Sequence, residues 1–162
     1  MVELGPGSSL GTGLAALLAG VGRYVALDLQ EHRSTEHDRA ILQDLAELFS
    51  ARAPFWDVNA RGDLFFPPPP QPDVWRRIEP ALAVTQSPGF VAELDRELAG
   101  DLGERLAFEA PYDAEGAFPN GGADWVMSHS VMEHVDALDE TYRLIARWLR
   151  PGGHATHLID FS

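Results

Sequence analysis

The first thirty residues alternate between strand and helix patterns, and this alternation constrains the fold more than any other feature. A short apolar run at 2–4 ends in the turn Gly5-Pro6-Gly7, which a helix does not tolerate well. Apolar residues recur at helical spacing from 10 to 21. Residues 24–29 are mostly apolar and include an acid near their end, as in a strand that is buried on both faces. Strand, helix and strand within about 30 residues predict a βαβ unit with a right-handed crossover.

The rest of the chain continues this alternation. Helices are predicted at 36–52, 73–84, 90–102 and 132–150, and strands at 105–110, 123–130 and 154–161. This order predicts an α/β fold with a three-layer α/β/α, Rossmann-like sheet that is mostly parallel. Residues 54–72 hold six of the twelve prolines, so we interpret them as a surface loop rather than as a polyproline ligand.

The composition excludes several kinds of chemistry. The 162 residues contain no cysteine and no lysine, which excludes disulfides, thiolate zinc sites, cysteine nucleophiles, a Walker A lysine and lysine Schiff bases. With 12 basic and 25 acidic side chains the net charge is −13, which disfavours nucleic acids and anionic membranes as partners. No apolar stretch approaches the roughly 18 residues of a membrane helix, and no signal peptide is visible. We therefore expect a cytoplasmic protein that acts on a small molecule.

The turn after the first strand predicts a ligand with a nucleoside part. Gly5 and Gly7 stand between strand and helix, where open α/β sheets bind ligands. Asp28 follows Gly7 by 21 residues, at the end of the second strand, and an acid there can accept hydrogen bonds from ribose hydroxyls. A nicotinamide dinucleotide site needs a third small residue where Leu10 stands, so an NAD(P)-dependent oxidoreductase is kept as the alternative enzyme.

Four motifs follow one another along the chain: VELGPGS, ALDL, YDAEGAFPNGGADWVMSHSVMEHV and LIARWLRPGG. In their order and spacing they resemble the class I S-adenosylmethionine-dependent methyltransferases of the methyltransferase-domain type. The resemblance covers residues 2–34 and 105–161, and it implies S-adenosylmethionine as the cofactor. It also implies methyl transfer to a small-molecule acceptor on a sheet of seven strands, in the order 3-2-1-4-5-7-6.

The resemblance implies cofactor contacts at eight positions, which are Glu3, Gly5, Gly7, Asp28, Leu29, Asp113, Ala114 and Ser128. The first three would hold the methionine end of the cofactor, and Asp28 would bind the ribose hydroxyls. Leu29 would pack against the adenine, and the pair Asp113–Ala114 would meet its amino group. Ser128 and His129 would lie beside the sulfonium and the substrate pocket.

His129 and His134 are the candidates for a general base, because a base must titrate near neutrality. Glu133 is the next candidate, although the glutamate and histidine of the EHV segment often fix the loop after strand four in the resembling family. Methyl transfer can also proceed without a base if the acceptor is already nucleophilic. No metal site is predicted, since the histidine pairs 129/134 and 154/157 do not share a face easily and lack HExxH spacing.

Two departures from the resembling family concern the extent of the domain. We expect one partial methyltransferase domain over 1–162, with a helical and proline-rich insert at about 54–100 that forms part of a cap over the substrate site. The chain ends at the fifth strand, without the C-terminal β-hairpin strands. An exposed edge strand is a liability, so we expect either a fragment of a longer protein or a partner that covers this edge. The alternative to an enzyme is a non-catalytic remnant that keeps the cofactor pocket.

Overall fold

The computed structural model describes residues 1–53, 74–100, 103–114 and 116–161. Its strands are β1 (Val2–Leu4), β2 (Tyr24–Leu27), β3 (Leu106–Glu109), β4 (Ala123–His129) and β5 (Leu149–Leu158). Its α-helices are α1 (Gly11–Leu18), α2 (Thr35–Ser50), α3 (Val74–Thr85), α4 (Pro88–Ala99) and α5 (Leu138–Trp148), and a 3-10 turn spans Met132–His134. The proline-rich run at 54–72 lies outside the described residues.

The strands of the described residues form one sheet in the order β3-β2-β1-β4-β5, and every neighbouring pair is parallel. This confirms the prediction of an α/β fold with a Rossmann-like, mostly parallel sheet. The carboxyl ends of all these strands meet at one edge. The strand order reverses beside β1, because the chain passes from β1 to β2 on one side and later returns to β4 on the other. Ligands bind at such a switch point in open α/β sheets.

Helices cover both faces of the sheet, which explains why β1 and β2 are buried along their whole length. On one face, side chains of α1, α2, α3 and α4 form a single core, among them Leu14, Leu17, Leu42, Leu82 and Leu94. On the other face, α5 packs Leu144, Ile145 and Trp148 against the sheet. None of the helices in these described ranges has the length and apolar character of a transmembrane span.

The helix predicted at 132–150 is divided in the structure. Its first residues form the 3-10 turn, and Val135 is extended before α5 begins at Leu138. The division follows the packing, since Met132 is buried in the α5-side core and anchors the turn there. Asp139 and Glu140 then occupy the first turn of α5, where acidic side chains favour a helix start. The apolar spacing of the segment could not reveal this break.

The last strand also differs from the prediction, because β5 begins directly at Leu149 rather than at 154. The Pro-Gly-Gly run at 151–153 lies inside the strand and shifts its register. Ala123 pairs with Leu149, whereas Trp125 pairs with His154, so β5 carries extra residues opposite β4. Such a bulge interrupts the strand pairing without ending the strand.

Helices α3 and α4 belong to the core layer. Leu82, Leu94 and Leu98 are buried against α1 and α2, and the Thr85 hydroxyl donates to the carbonyl of Leu18 at 2.6 Å. Leu18 ends α1 and therefore lies away from the glycine turn that precedes this helix. The end of α3 therefore lies near the amino edge of the sheet, and the cap over the substrate site stays a prediction. The part of the cap hypothesis that falls on 54–73 lies outside the described residues.

The contact between α1 and the sheet is close because Gly13 faces Tyr24. A Cβ atom on Gly13 would lie 2.1 Å from Cε1 of the Tyr24 ring. Tyr24 is fully buried, so its ring has no free space into which it could move. The glycine at this position allows the tyrosine to lie beneath the helix.

Replacing Gly13 with alanine should therefore lower the free energy of unfolding by about 3 kcal/mol, the upper end of the usual cost of overpacking. The matched control is Gly22→Ala, because no atom lies within 4 Å of a Cβ at that position. The control should change stability by less than about 0.5 kcal/mol. Urea unfolding of the two variants beside the wild type measures the difference, and equal stabilities would contradict this packing argument.

Candidate functional site

The glycine turn at residues 5–7 leaves β1 at the switch point of the sheet. Gly5 and Gly7 have φ values of 64° and 70°, in the left-handed region that favours glycine. The Gly5 N–H donates to the carbonyl of Leu27 at 2.8 Å, and a Cβ on Gly5 would lie 2.5 Å from Val131 Cγ2. At Gly7, by contrast, no atom lies within 4 Å of a Cβ position. Gly5 therefore packs against the loop after β4, whereas the space beside Gly7 is open.

Asp28 lies directly beside this turn, although 21 residues separate it from Gly7. One carboxylate oxygen accepts the Gly7 N–H at 3.2 Å, and the other accepts the N–H of Leu29 at 2.7 Å and that of Gln30 at 3.4 Å. A carboxylate has about four acceptor positions, so it can still accept a further hydrogen bond. Leu29 is 70% exposed and presents an apolar side chain next to this carboxylate. The structure thus brings Gly7, Asp28 and Leu29 together.

Glu3 is the second acidic residue at the turn, and it is only 4% exposed. Its carboxylate accepts the hydroxyl of Tyr24 at 2.6 Å. Burial raises the pKa of Glu3, while hydrogen bonds from Tyr24 and Thr12 and the charge of His129 act in the opposite direction. Thr12 lies in the first turn of α1, so the Glu3 side chain lies beneath the start of this helix.

Asp38 is a third carboxylate at the turn, and the sequence analysis did not find it. It lies in α2, is 0% exposed and accepts the backbone N–H of Leu10, the residue before α1, at 2.8 Å. Its other oxygen lies 3.4 Å from Nη1 of Arg33, whose guanidinium stacks over the ring of Phe108. No local sequence pattern predicts a hydrogen bond between two residues that are 28 positions apart in the chain.

The loop after β3 closes the other side of Asp28. The backbone N–H of Tyr112 donates to the carbonyl of Asp28 at 3.1 Å. Burial and the charge of Asp28 raise the pKa of the Tyr112 phenol, which places this side chain near the carboxylate. Asp113 and Ala114 follow and are exposed. Tyr112 is a further residue that the sequence analysis missed, although it stands inside the YDAEG segment.

Ser128 and His129 end β4 on opposite faces of the sheet. Ser128 is 2% exposed, and its Oγ lies 2.8 Å from Nδ1 of His157 on the α5 side. Burial lowers the pKa of His157. His129 is exposed and lies close enough to Glu3 to lower the pKa of that carboxyl. The glycine turn therefore lies near the side chain of His129, whereas that of Ser128 is directed away from Glu3.

His134 is separated from this group. It ends the 3-10 turn after β4 and is exposed. The nearby Glu133 accepts the backbone N–H of Asp160 at 3.3 Å and so connects this turn to the end of β5. Among the described residues, no group of three histidine or acidic side chains could hold a metal ion.

A cavity of about 640 Å³ lies at the opposite, amino edge of the sheet. Its lining includes Met1, Val25, Phe118 and Trp125, and none of the predicted site residues takes part. At the carboxyl edge, by contrast, Leu29, Asp113, Ala114 and His129 are exposed, whereas Glu3 and Ser128 are buried.

A comparison with protein families decides the assignment of this fold. Residues 74–156, half of the chain, match the family model described as a methyltransferase domain. The chain belongs to this methyltransferase family. The match supports a class I domain of the S-adenosylmethionine-dependent type, as the four sequence motifs indicated. No curated protein matched the chain at a significant level.

The matched region of the methyltransferase domain begins with α3 and ends within β5. It therefore includes the helices that we treated as an insert, together with β3, β4 and α5. The glycine turn, Asp28 and Asp38 precede it. Their connection with the matched region comes from the sheet, in which β1 pairs with β4 and β2 pairs with β3.

The raised pKa of Glu3 gives the stability a pH dependence that Glu3→Gln should remove. The native state keeps the proton of Glu3 over a pH range that begins at 4.5, the ordinary pKa of this carboxyl. In the same range the unfolded chain has already released the proton. The stabilising contribution of protonated Glu3 is therefore complete below pH 4.5 and is lost as the pH rises through the raised pKa. Glutamine cannot ionise, so the stability of Glu3→Gln should improve relative to the wild type over this range.

Urea unfolding of both proteins from pH 4.5 to neutral pH measures this difference. Glu104→Gln is the control, because Glu104 is exposed in the loop before β3. The burial of an ionisable Glu3 would be contradicted if the difference in unfolding free energy between wild type and Glu3→Gln stayed constant with pH. It would also be contradicted if this difference equalled that of the Glu104→Gln control.

Proposed function

We propose that this methyltransferase domain transfers a methyl group from S-adenosylmethionine to a small-molecule acceptor at the carboxyl edge of the sheet. The observation that carries the proposal is the open space at Gly7 beside the carboxylate of Asp28. A ribose next to Asp28 can hydrogen-bond to the carboxylate, and the glycine turn admits the remainder of the cofactor.

The charges around the turn fit the cofactor. Three carboxylates, those of Glu3, Asp28 and Asp38, border the turn, and Arg33 contacts Asp38. The sulfonium and the ammonium group of S-adenosylmethionine are both positive. A site with an excess of negative charge attracts such groups. For the adenine, exposed Leu29 offers an apolar surface, and Asp113 and Ala114 follow nearby in the loop after β3.

The same charges weigh against an NAD(P)-dependent oxidoreductase. A dinucleotide places its pyrophosphate at the N-terminus of the helix after β1. Here Leu10 replaces the third small residue of the dinucleotide fingerprint, and its N–H already donates to Asp38. We therefore keep the methyltransferase proposal and use NADH as a competitor in its test.

In this proposal the side chains and the glycine turn of the protein hold the methyl donor in place, and a side chain accepts the proton that the acceptor loses. When bound, the cofactor supplies an activated methyl group on its sulfonium. Asp28 and the glycine turn orient the donor, and orientation by itself contributes strongly to such a transfer. We propose His129, which is exposed at the end of β4 near Glu3, as the group that accepts a proton from the acceptor. His134 is the second candidate, and an acceptor that is already nucleophilic needs neither.

The outer edge strand of the sheet, β5, carries exposed apolar side chains that a partner could cover. Leu158 near the end of β5 is 60% exposed, and Phe161 is exposed beyond it. Unpaired edge strands with apolar side chains invite pairing with another chain segment. We therefore propose that a further segment or a partner covers β5. The net charge of −13 favours a small acceptor over a nucleic acid.

Titration of the purified chain with S-adenosylhomocysteine in a calorimeter tests the cofactor assignment. The wild type should bind it saturably. Asp28→Ala should weaken binding by at least about tenfold, because hydrogen bonds to a charged acceptor are lost. Asp44→Ala is the matched control, since Asp44 is exposed on α2, and it should leave the affinity unchanged. Thermal unfolding of each variant checks that it is folded.

Two results would contradict the proposal. If NADH bound in place of S-adenosylhomocysteine, the oxidoreductase alternative would be correct. If a folded wild type bound neither compound, the cofactor assignment would be wrong, and a remnant without a working cofactor pocket would be the better description.

A further inference from the structure

We infer that Asp38 makes the glycine turn selective against nucleotides that carry a phosphate on the 5′ side of the ribose. The inference rests on the proposed function, since it concerns the same turn and the same ribose carboxylate. It assigns a role to a residue of α2 that lies 28 positions beyond Leu10, its hydrogen-bond partner.

Two features near the turn would ordinarily attract a phosphate. The first is the N-terminus of α1, where free N–H groups and the helix dipole favour an anion. The second is the guanidinium of Arg33, because arginine binds phosphate oxygens through its fixed pattern of donors. A nucleotide whose ribose bound Asp28 would direct its phosphates towards this helix end.

Asp38 lies next to both features. One of its oxygens accepts the N–H of Leu10, the residue before α1, at 2.8 Å, and the other lies 3.4 Å from Nη1 of Arg33. The Arg33 side chain is largely buried, and its Nε also lies 3.7 Å from Glu31. A phosphate would therefore meet a buried carboxylate beside the helix end and an arginine that is already paired.

Burial makes this arrangement strongly selective. Asp38 is 0% exposed, and Glu3 lies beneath the same helix end with 4% exposure. Water screens buried charges poorly, so a phosphate brought to this place would be repelled, because the single positive charge of Arg33 offsets only one of the two negative charges of Asp38 and Glu31. A cofactor without phosphate avoids this repulsion, and one with positive groups gains attraction instead.

Asp38→Asn separates the charge from the hydrogen bond. The amide oxygen of asparagine can still accept the Leu10 N–H, so this hydrogen bond is kept while the negative charge is removed. Arg33 then loses one of its two acidic partners. The matched control is Asp44→Asn, which removes one charge from an exposed position of the same helix.

The experiment compares the affinities of adenosine, ADP and S-adenosylhomocysteine for these three proteins. In the wild type ADP should bind at least about tenfold more weakly than adenosine. In Asp38→Asn this ratio should fall by about tenfold, while the affinity for S-adenosylhomocysteine changes by less than about threefold. Asp44→Asn should show the wild-type ratio.

The outcomes distinguish this inference from the proposed function. If S-adenosylhomocysteine binds the wild type but a folded Asp38→Asn keeps the wild-type ratio, the role of Asp38 is refuted and the proposed function stands. If the wild type binds ADP as tightly as adenosine, the inference is likewise refuted. If S-adenosylhomocysteine fails to bind the wild type, the proposed function is refuted, and the inference with it.

A measurement on the wild type alone covers the case in which Asp38→Asn does not fold. Raising the ionic strength from about 0.01 to about 1 M shortens the screening length from about 30 to about 3 Å. If buried carboxylates repel the phosphates, ADP should gain affinity relative to adenosine as salt is added, but part of the difference should remain at the highest salt concentration, because salt screens buried charges much less than exposed ones. A difference that disappears completely would come from the exposed charges of the chain and would also overturn the inference. A relative loss of ADP affinity would show that the turn attracts phosphate and would overturn the inference.

Discussion

The hydrogen bond from Tyr24 to Glu3 determines how the first helix lies on the sheet. Both residues are buried, and a buried carboxylate without a partner would cost several kcal/mol, on the order of the stability of a small domain. The bond forms only if the tyrosine ring lies beneath α1, and Gly13 leaves the space for it. The position of α1 then fixes the direction of the glycine turn that precedes it. The geometry of the candidate site thus depends on a buried contact between the first two strands.

The acidic surroundings of the turn follow from the same principle of satisfying buried polar groups. The N–H groups of Gly7 and Leu10 would otherwise lack partners, and Asp28 and Asp38 accept them. Because these acceptors are carboxylates, the hydrogen bonds that order the turn also make it negative. The local structure and the charge of the turn are therefore linked, since one set of side chains determines both.

Sequence patterns anticipated most of the fold, because both faces of the sheet are covered. A strand that is buried on both faces is apolar throughout, and a helix that covers it carries apolar residues at helical spacing; both signals are local. The break before Leu138 and the bulge at 151–153 were missed because they depend on contacts with other elements. The side chain of Met132 is buried in the α5-side core, so the segment before Leu138 does not continue α5. The Pro-Gly-Gly run forms a bulge opposite β4.

The sequence by itself determined the kind of sheet, the glycine turn and the acid after the second strand. These features are encoded within short segments, where spacing and residue type carry the information. Only the tertiary structure decided that Asp38 accepts the N–H of Leu10, that Tyr112 meets Asp28, and that Ser128 and His129 lie on opposite faces. These relations join residues that are distant in the chain. They depend on the packing of whole helices and strands, which no short segment specifies.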